Sequence, residues 1–586
     1  MPEVRLDLRQ HHQHLVAVTL TLPPDRLPPG GRVLRLRLPA WTPGSYLIRD
    51  YVRTLEGLRA HWGSGGDDPT APEPVDLPLR RTGVAEWQLQ LPAGDPAPLQ
   101  LAYKILATEL SVRTCHLSGD HGFLALAGVV LQVEGQRWTP HSLELQLPEG
   151  WQAFLPLPRA EDGRWWARDY DHLIDTPLEA GPHPSHRFTV AEVPHTWVSW
   201  GGDLPAQDPS WLEDVRRVCL QCCRLMGQER PAADRYLFVL HLVQKGYGGL
   251  EHDDSCVLLY SRRDLERSEG RRRLLQLVAH EYLHQWNVRR LRPAELRPYD
   301  YDQPTILPTL WFAEGVTSYC DQLLPHAAGL CSEAELLEDL GADLSRYLLT
   351  PGRHVQSLRD SAQEAWVKLY RADAHAPDNQ VSYYLKGAVL SLVLDLHLRR
   401  HGSWLGAVLQ ELWRCHGASD RGYREADLLQ ACAAAAPDLE TLLPHWLASH
   451  EDPPLETYLS DLGLRLTPEI SEQWDAGLQA EEANGGLRLR RVWRQGPACR
   501  AGLMVGDELL ALAGHRLRTA EDLAAVLRSG TGEAPQLPLM FCRDDQVRQG
   551  TLQLQAPAVS RWRLEPDPQA GAAAVEQRRR WSLLQP

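Results

Sequence analysis

Lysine is almost missing from this 586-residue chain, which has only Lys104, Lys245, Lys368 and Lys386 beside many arginines. There is no long basic tract. The net charge is -15 and the short cluster Arg578-Arg579-Arg580 does little to offset it, so a nucleic-acid partner is argued against. The amino terminus, Met1 to Leu8, is charged and passes straight into alternating residues, so no secretory leader is expected. No stretch is apolar for long enough to span a bilayer, and no membrane partner is expected. A disulfide framework is missing too. The eleven cysteines are odd in number and scattered, which fits reduced thiols in a cytoplasm. Cys219, Cys222 and Cys223 cluster without a second CxxC pair and read as a buried helix face rather than a metal site. A chain this long exceeds one core, so three or four domains are expected.

The informative stretch is Ala279-His280-Glu281-Tyr282-Leu283-His284-Gln285-Trp286-Asn287. On a helix, His280 and His284 stand at i and i+4, so both imidazoles leave one face and can meet one metal ion. Glu281 projects beside them, where a carboxylate can take a proton from water activated by zinc. An HExxH also arises by accident on solvated helices. Here Leu274, Leu277, Val278, Leu283 and Trp286 make the helix apolar and half buried, and burying two histidines and a glutamate without partners is costly. A catalytic zinc needs a third protein ligand and an open position. Glu314 is the candidate, set between Trp311 and Phe312 on one side and Val316 on the other. A glutamate at a helix start would be the alternative reading.

His280 to Arg290 and Trp311 to Tyr319 resemble the glycyl aminopeptidase family of zinc metallopeptidases, within the thermolysin-like group whose third ligand is glutamate. Ser318 departs from thermolysin, where an aspartate steadies a ligating histidine, so that support must be built differently here. The resemblance implies one zinc per chain held by His280, His284 and Glu314, with Glu281 as catalytic base.

The fold class expected is multidomain α+β. Residues 1–190 alternate as in a β-sandwich, with Leu34, Leu36 and Leu38 and then Leu143, Leu145 and Leu147 set between polar neighbours. Gly63 to Pro74 reads as a turn-rich loop within it, and His11, His12 and His14 as an exposed edge. Pro39 to Tyr51 resembles the family's amino-terminal domain and offers no role beyond a rigid aromatic turn. Residues 191–463 read as a thermolysin-like metallopeptidase domain, with a helix over Trp211 to Gly227, a buried strand over Tyr236 to Val243 and a mostly helical C-terminal part. Ser332 and Glu335 form a capping box there.

After the buried strand comes Lys245-Gly246-Tyr247-Gly248-Gly249-Leu250-Glu251-His252, read as a glycine-rich turn in which the adjacent glycines let backbone and substrate approach. A carboxylate behind them can grip a free ammonium, although an exposed glutamate on an ordinary turn reads the same way. The resemblance of Gly248 to His252 to zinc aminopeptidases implies that Gly248, Gly249 and Glu251 bind the substrate's amino terminus. Tyr383 and Tyr384 head an apolar helix, and a tyrosine near zinc can donate to a developing oxyanion. The family's Tyr-x-Lys-Gly stretch implies Tyr384, with Tyr383 as fallback.

Residues 464–560 resemble a PDZ domain of bacterial type, with a helix from Thr519 to Leu527 and strands over Leu537 to Cys542 and Gln549 to Leu554. Its ligand would be a peptide added as a strand, but a glycine loop for a terminal carboxylate is not clear, and a packing module without a ligand is the alternative. Residues 561–586 read as a loosely ordered tail. The function implied is a zinc aminopeptidase removing a small residue, glycine or alanine, from peptides with a free amino terminus. A zinc metalloendopeptidase and a non-catalytic PDZ-containing binding protein are the alternatives.

Overall fold

A computed structural model describes residues 1–29, 31–63, 75–93, 97–419, 421–528 and 533–586. Most of the turn-rich loop expected over Gly63 to Pro74, namely residues 64–74, lies outside them. The chain divides into two compact units. One comprises residues 1–306, 327–330 and 406–424, the other residues 307–326, 331–405 and 425–586.

The described residues of the first unit begin with β-structure. In Leu15–Leu22 and Leu99–Leu106 every second residue is buried, because successive side chains on a strand point to opposite faces. These strands lie in a seven-stranded sheet, with Glu3–Asp7 paired antiparallel to Leu15–Leu22 and parallel to His141–Gln146. The three early histidines are no strand edge. His11–Gln13 is a 3-10 turn closed by His14 in a left-handed conformation.

Strand β1 (Gly122–Ala125) and strand β2 (Pro177–Gly181) pair antiparallel in a smaller sheet, with Phe123 opposite Glu179. A five-stranded sheet follows, built from β3 (Ser185–Val190), β4 (Val193–Trp200), β5 (Tyr236–Val243), β6 (Tyr247–Glu251) and β7 (Ser255–Ser261) in the order β3-β4-β5-β7-β6. Strands β4, β5 and β7 are parallel, and β5 is apolar apart from His241 because both its faces are covered. Helix α1 (Trp211–Leu225) connects β4 to β5, and helix α2 (Gly270–Leu283) follows β7. Cys219, Cys222 and Cys223 lie buried on α1, and all eleven cysteines stand outside disulfides.

The second unit is helical before it turns to strand. A π-helical turn spans Trp311–Val316. The capping box at Ser332 and Glu335 opens Glu333–Leu348, and helix α3 (Tyr383–Arg400) carries Tyr384. The PDZ region has strands Leu478–Ala483, Gly486–Val492, Glu508–Leu512, Gln536–Arg543 and Gln546–Gln553 around a core of Leu487, Leu489, Leu509, Leu539 and Phe541. Its helix α4 (Ala520–Leu527) starts from a Thr519–Asp522 capping box.

The segment after Trp562 is not loosely ordered. Val559–Pro566 pairs with Leu464–Ile470, and helix α5 (Ala572–Ser582) packs a fully buried Trp581 whose Nε1 donates to Tyr319 Oη at 2.7 Å. Arg578 donates to the Leu462 and Gly463 carbonyls at 3.1 Å. The polar, alanine-rich composition hides this, because one tryptophan and one arginine tie the helix down rather than an apolar stripe.

Candidate active site

Helix α2 forms where the sequence expects it, but it is more than half buried. Leu274, Leu275, Leu277, Val278, Tyr282 and Leu283 are all covered as it packs on α1, β6 and β7. His280 and His284 leave one face with ring centroids 4.6 Å apart, and His280 keeps partial exposure. The Asn287 carbonyl accepts from His284 Nδ1 at 2.7 Å, which fixes the tautomer with Nε2 as the ring nitrogen that carries the lone pair. A carbonyl in the same turn thus steadies His284, consistent with the serine at position 318. Glu281 is 4% exposed.

The Tyr247–Glu251 stretch is an edge strand, antiparallel to β7 with Glu251 opposite Cys256, and not a turn. Its two glycines differ. A Cβ on Gly249 would fall 2.0 Å from Glu281 Oε1, whereas one on Gly248 would meet nothing within 4 Å. Steric room therefore requires glycine at 249, where the strand lies against the Glu281 carboxylate of α2. Arg113 donates to the Gly249 carbonyl at 3.1 Å.

Glu251 is 3% exposed, and its Oε1 has no hydrogen-bond partner. Ligand atoms of Glu251, Glu281 and His284 all lie within 4.8 Å of one another. Two carboxylates held this close in a buried setting repel each other unless a cation joins them.

Residues to which the sequence assigned no role complete this wall. A Cβ on Gly44 would lie 2.5 Å from Glu251 Oε2, and Gly44 has φ +81°, a left-handed conformation that favours glycine. The aromatic turn over Pro39 to Tyr51 thereby acquires a role, and its Pro43-Gly44 pair was the available signal. Behind Glu251, Asp175 accepts from His252 Nδ1 at 3.2 Å and from Arg289 at 2.8 Å. Arg289 also pairs with Asp253 at 2.9 Å. Burial opposes the Arg289 charge, but Asp175, Tyr299 and Asp253 outweigh it and hold its guanidinium well above its ordinary value. Asp253 carries a burial penalty as well, and Arg289, Arg292 and Arg290 overcome it, so its carboxyl stays well below the usual range. This network anchors the chain directly after Glu251.

In the second unit, Glu314 lies in the π-helical turn at 1% exposure. Gly315 and Gly387 pack backbone to backbone, and a Cβ on Gly315 would fall 2.5 Å from the Gly387 Cα. That contact sets the register between the turn carrying Glu314 and the first turn of α3 carrying Tyr384. Tyr384 Oη lies 3.1 Å from Tyr370 Oη, and Tyr384 is half-buried whereas Tyr383 is fully buried. Burial first, then the Glu314 charge and the neighbouring tyrosines, push the Tyr384 phenol well above its ordinary value, so it remains a neutral donor.

Comparison with known proteins gives consistent results. The M61 glycyl aminopeptidase family matches residues 273–390, the peptidase M61 N-terminal domain residues 3–182 and a PDZ domain residues 490–537. No match was found among curated proteins. Among solved structures, the chain is similar to a protein from Idiomarina loihiensis described as an aminopeptidase N family protein, at 29% identity over 100% of both chains with a TM-score of 0.90. It also aligns with yeast LTA4 hydrolase in complex with bestatin at 14% identity over 79% of this chain and 69% of that one, with a TM-score of 0.46, too low to argue from. Among the described residues no helix is long and apolar enough to cross a membrane. The chain carries the M61 glycyl aminopeptidase domain, its N-terminal companion and a PDZ domain, and it is a peptidase of the metallo-aminopeptidase kind.

Proposed function

We propose that the chain is a zinc-dependent aminopeptidase that removes a small amino-terminal residue, glycine or alanine, from peptides. The observation that carries this reading is the buried, unpartnered Oε1 of Glu251 beside Glu281 and His284. A carboxylate in that state is complementary to the protonated amino terminus of a substrate, and an endopeptidase would have no use for it. The small-residue preference rests on the likeness to glycyl aminopeptidases.

His280, His284 and Glu314 would hold the zinc, a nitrogen and oxygen donor set suited to that ion with one position left open. When bound, zinc polarises the scissile carbonyl and acidifies water. Glu281 takes the proton of the attacking water and delivers it to the leaving amine. Glu251 fixes the ammonium, so the first peptide bond is the one presented for attack. Tyr384 donates its phenol to the oxyanion as charge develops. Tyr384 fits better than Tyr383 because it retains exposure and faces the Glu314 charge.

The PDZ domain would take a peptide along its edge strand Leu478–Ala483 beside α4. Eleven cysteines outside disulfides support a reducing, cytoplasmic setting.

The test compares free-amino with amino-blocked glycyl and alanyl peptides on the parent chain and on Glu251→Ala. Loss of the partner for a desolvated ammonium should cost about 2–5 kcal/mol in kcat/KM for free-amino substrates. Equal cleavage of blocked and free peptides by the parent chain would replace this reading with the endopeptidase one.

A further inference from the structure

A second cluster of metal-binding side chains lies in the first unit and shares no residue with the candidate active site. His121 directly precedes β1, Glu179 lies on β2, His183 follows β2 by two residues and His241 lies on β5. His121, Glu179 and His241 are fully buried, and the His183 side chain is 9% exposed. Three imidazoles converge on one carboxylate through Nε2. His121 approaches Glu179 Oε1 at 2.9 Å, His183 approaches the same oxygen at 2.8 Å, and His241 approaches Oε2 at 2.9 Å.

Hydrogen bonding does not account for the whole cluster. Oε2 accepts from His121 and His241, but Oε1 of Glu179 and Nε2 of His183 have no aligned hydrogen bond although they stand 2.8 Å apart. Close approach without hydrogen-bond direction is what side chains show when their lone pairs aim at a common point rather than at each other. Ligand atoms of His121, Glu179 and His241 lie within 4.8 Å of one another, and around an ion with bonds of about 2.0–2.2 Å the imidazole–carboxylate contacts would open slightly as the ring nitrogens turn to it.

The surroundings are built to seal this place. Trp200 stacks on His121 with centroids 4.3 Å apart, Phe123 meets the edge of His241 at 5.0 Å, and Phe154 stacks on His183 at 5.6 Å. Gly181 is required there, because a Cβ would fall 2.4 Å from the His183 ring. Among the described residues Glu179 pairs with these histidines and with no arginine or lysine, so a full charge is buried among imidazoles.

We infer that His121, Glu179, His183 and His241 form a second, structural metal site that takes zinc. Three imidazole nitrogens and one carboxylate oxygen make a complete tetrahedral set for that ion. No position is left for substrate, so the site is a clamp. It joins β1 and β2 to β5, the sheet that also carries Glu251 on its edge strand β6.

Zinc content of the full chain tests this, measured by mass spectrometry after dialysis against metal-free buffer. The parent chain should hold two zinc ions, and one should survive in His280→Ala/His284→Ala. That remaining ion should be lost when His121→Gln/His241→Gln is added. A folded His280→Ala/His284→Ala chain without zinc overturns the inference. So does a surviving ion indifferent to changes at His121, Glu179 and His241. Should the quadruple variant fail to fold, His183→Asn at the rim of the cluster replaces it. In the same background that change should weaken zinc retention against a chelator at least about tenfold, and unchanged retention overturns the site. Failure of the proposed active site reads differently: the parent chain would then hold one zinc, kept in His280→Ala/His284→Ala and lost in His121→Gln/His241→Gln.

Discussion

Two clusters of histidine and glutamate in the first unit use the same side chains to different ends. Around α2, His280 stays partly exposed, His284 is oriented by a carbonyl in its own turn, and Glu251 keeps an oxygen without a partner. Around β2, Glu179 is ringed by three imidazoles of its own chain and walled in by Trp200, Phe123 and Phe154. A carboxylate left waiting for a cation from outside serves recognition and chemistry. A carboxylate already surrounded serves cohesion.

The largest expected effect breaks chemistry without touching cohesion. Glu281→Gln removes the base while leaving every proposed zinc ligand, so kcat should fall about 10²–10⁴-fold. Zinc content and the denaturant midpoint should stay at parental values, and parental turnover in this variant would end the mechanism. At the sealed cluster the response should reverse. Glu179→Ala strips three buried imidazoles of their common partner, a loss expected to cost about 3–5 kcal/mol of unfolding free energy in urea titrations.

Acid offers a third contrast, at an imidazole outside both clusters and without a carboxylate. Among the described residues His195 bonds to the Val193 carbonyl and to the Tyr282 hydroxyl at 2.9 Å, and burial pushes it down to about 4. Its folded value lies below the ordinary 6.5 or so, so the unfolded chain binds the proton first as pH falls. The stability contributed is therefore full above about pH 6.5 and is lost as pH falls through about 4, on the order of 3 kcal/mol in all. Denaturant midpoints across that range should drop for the parent chain and drop less for His195→Gln.

The smallest effect expected is at Gly44→Ala. A left-handed φ and a Cβ 2.5 Å from the Glu251 carboxylate oppose the change. A penalty of about 1–2 kcal/mol should appear as a rise of roughly 5–30-fold in KM for free-amino peptides. No change in KM would detach the aromatic turn from the recognition wall.

The two clusters also differ in how far the sequence reveals them. His280, Glu281 and His284 are legible because i and i+4 share a helix face whatever the rest of the chain does. The PDZ strands and the Thr519 cap are legible because alternation and capping are likewise local. The Tyr247–Glu251 strand was hidden, since two adjacent glycines read as a turn and only pairing with β7 makes them extended. The final helix was hidden because its anchors, Arg578 and Trp581, act on carbonyls and a hydroxyl far along the chain.

By itself, then, the sequence determined the helix that presents two imidazoles and a carboxylate, the apolar setting of Glu314 and the glycines behind which Glu251 stands. Each of these follows from spacing within one turn or one strand. Only the tertiary structure decided that Gly44 backs Glu251, that a Cβ on Gly249 would meet Glu281, and that His121, His183 and His241 all reach Glu179. Those meetings depend on strand order and register between segments scores of residues apart, which no local pattern encodes.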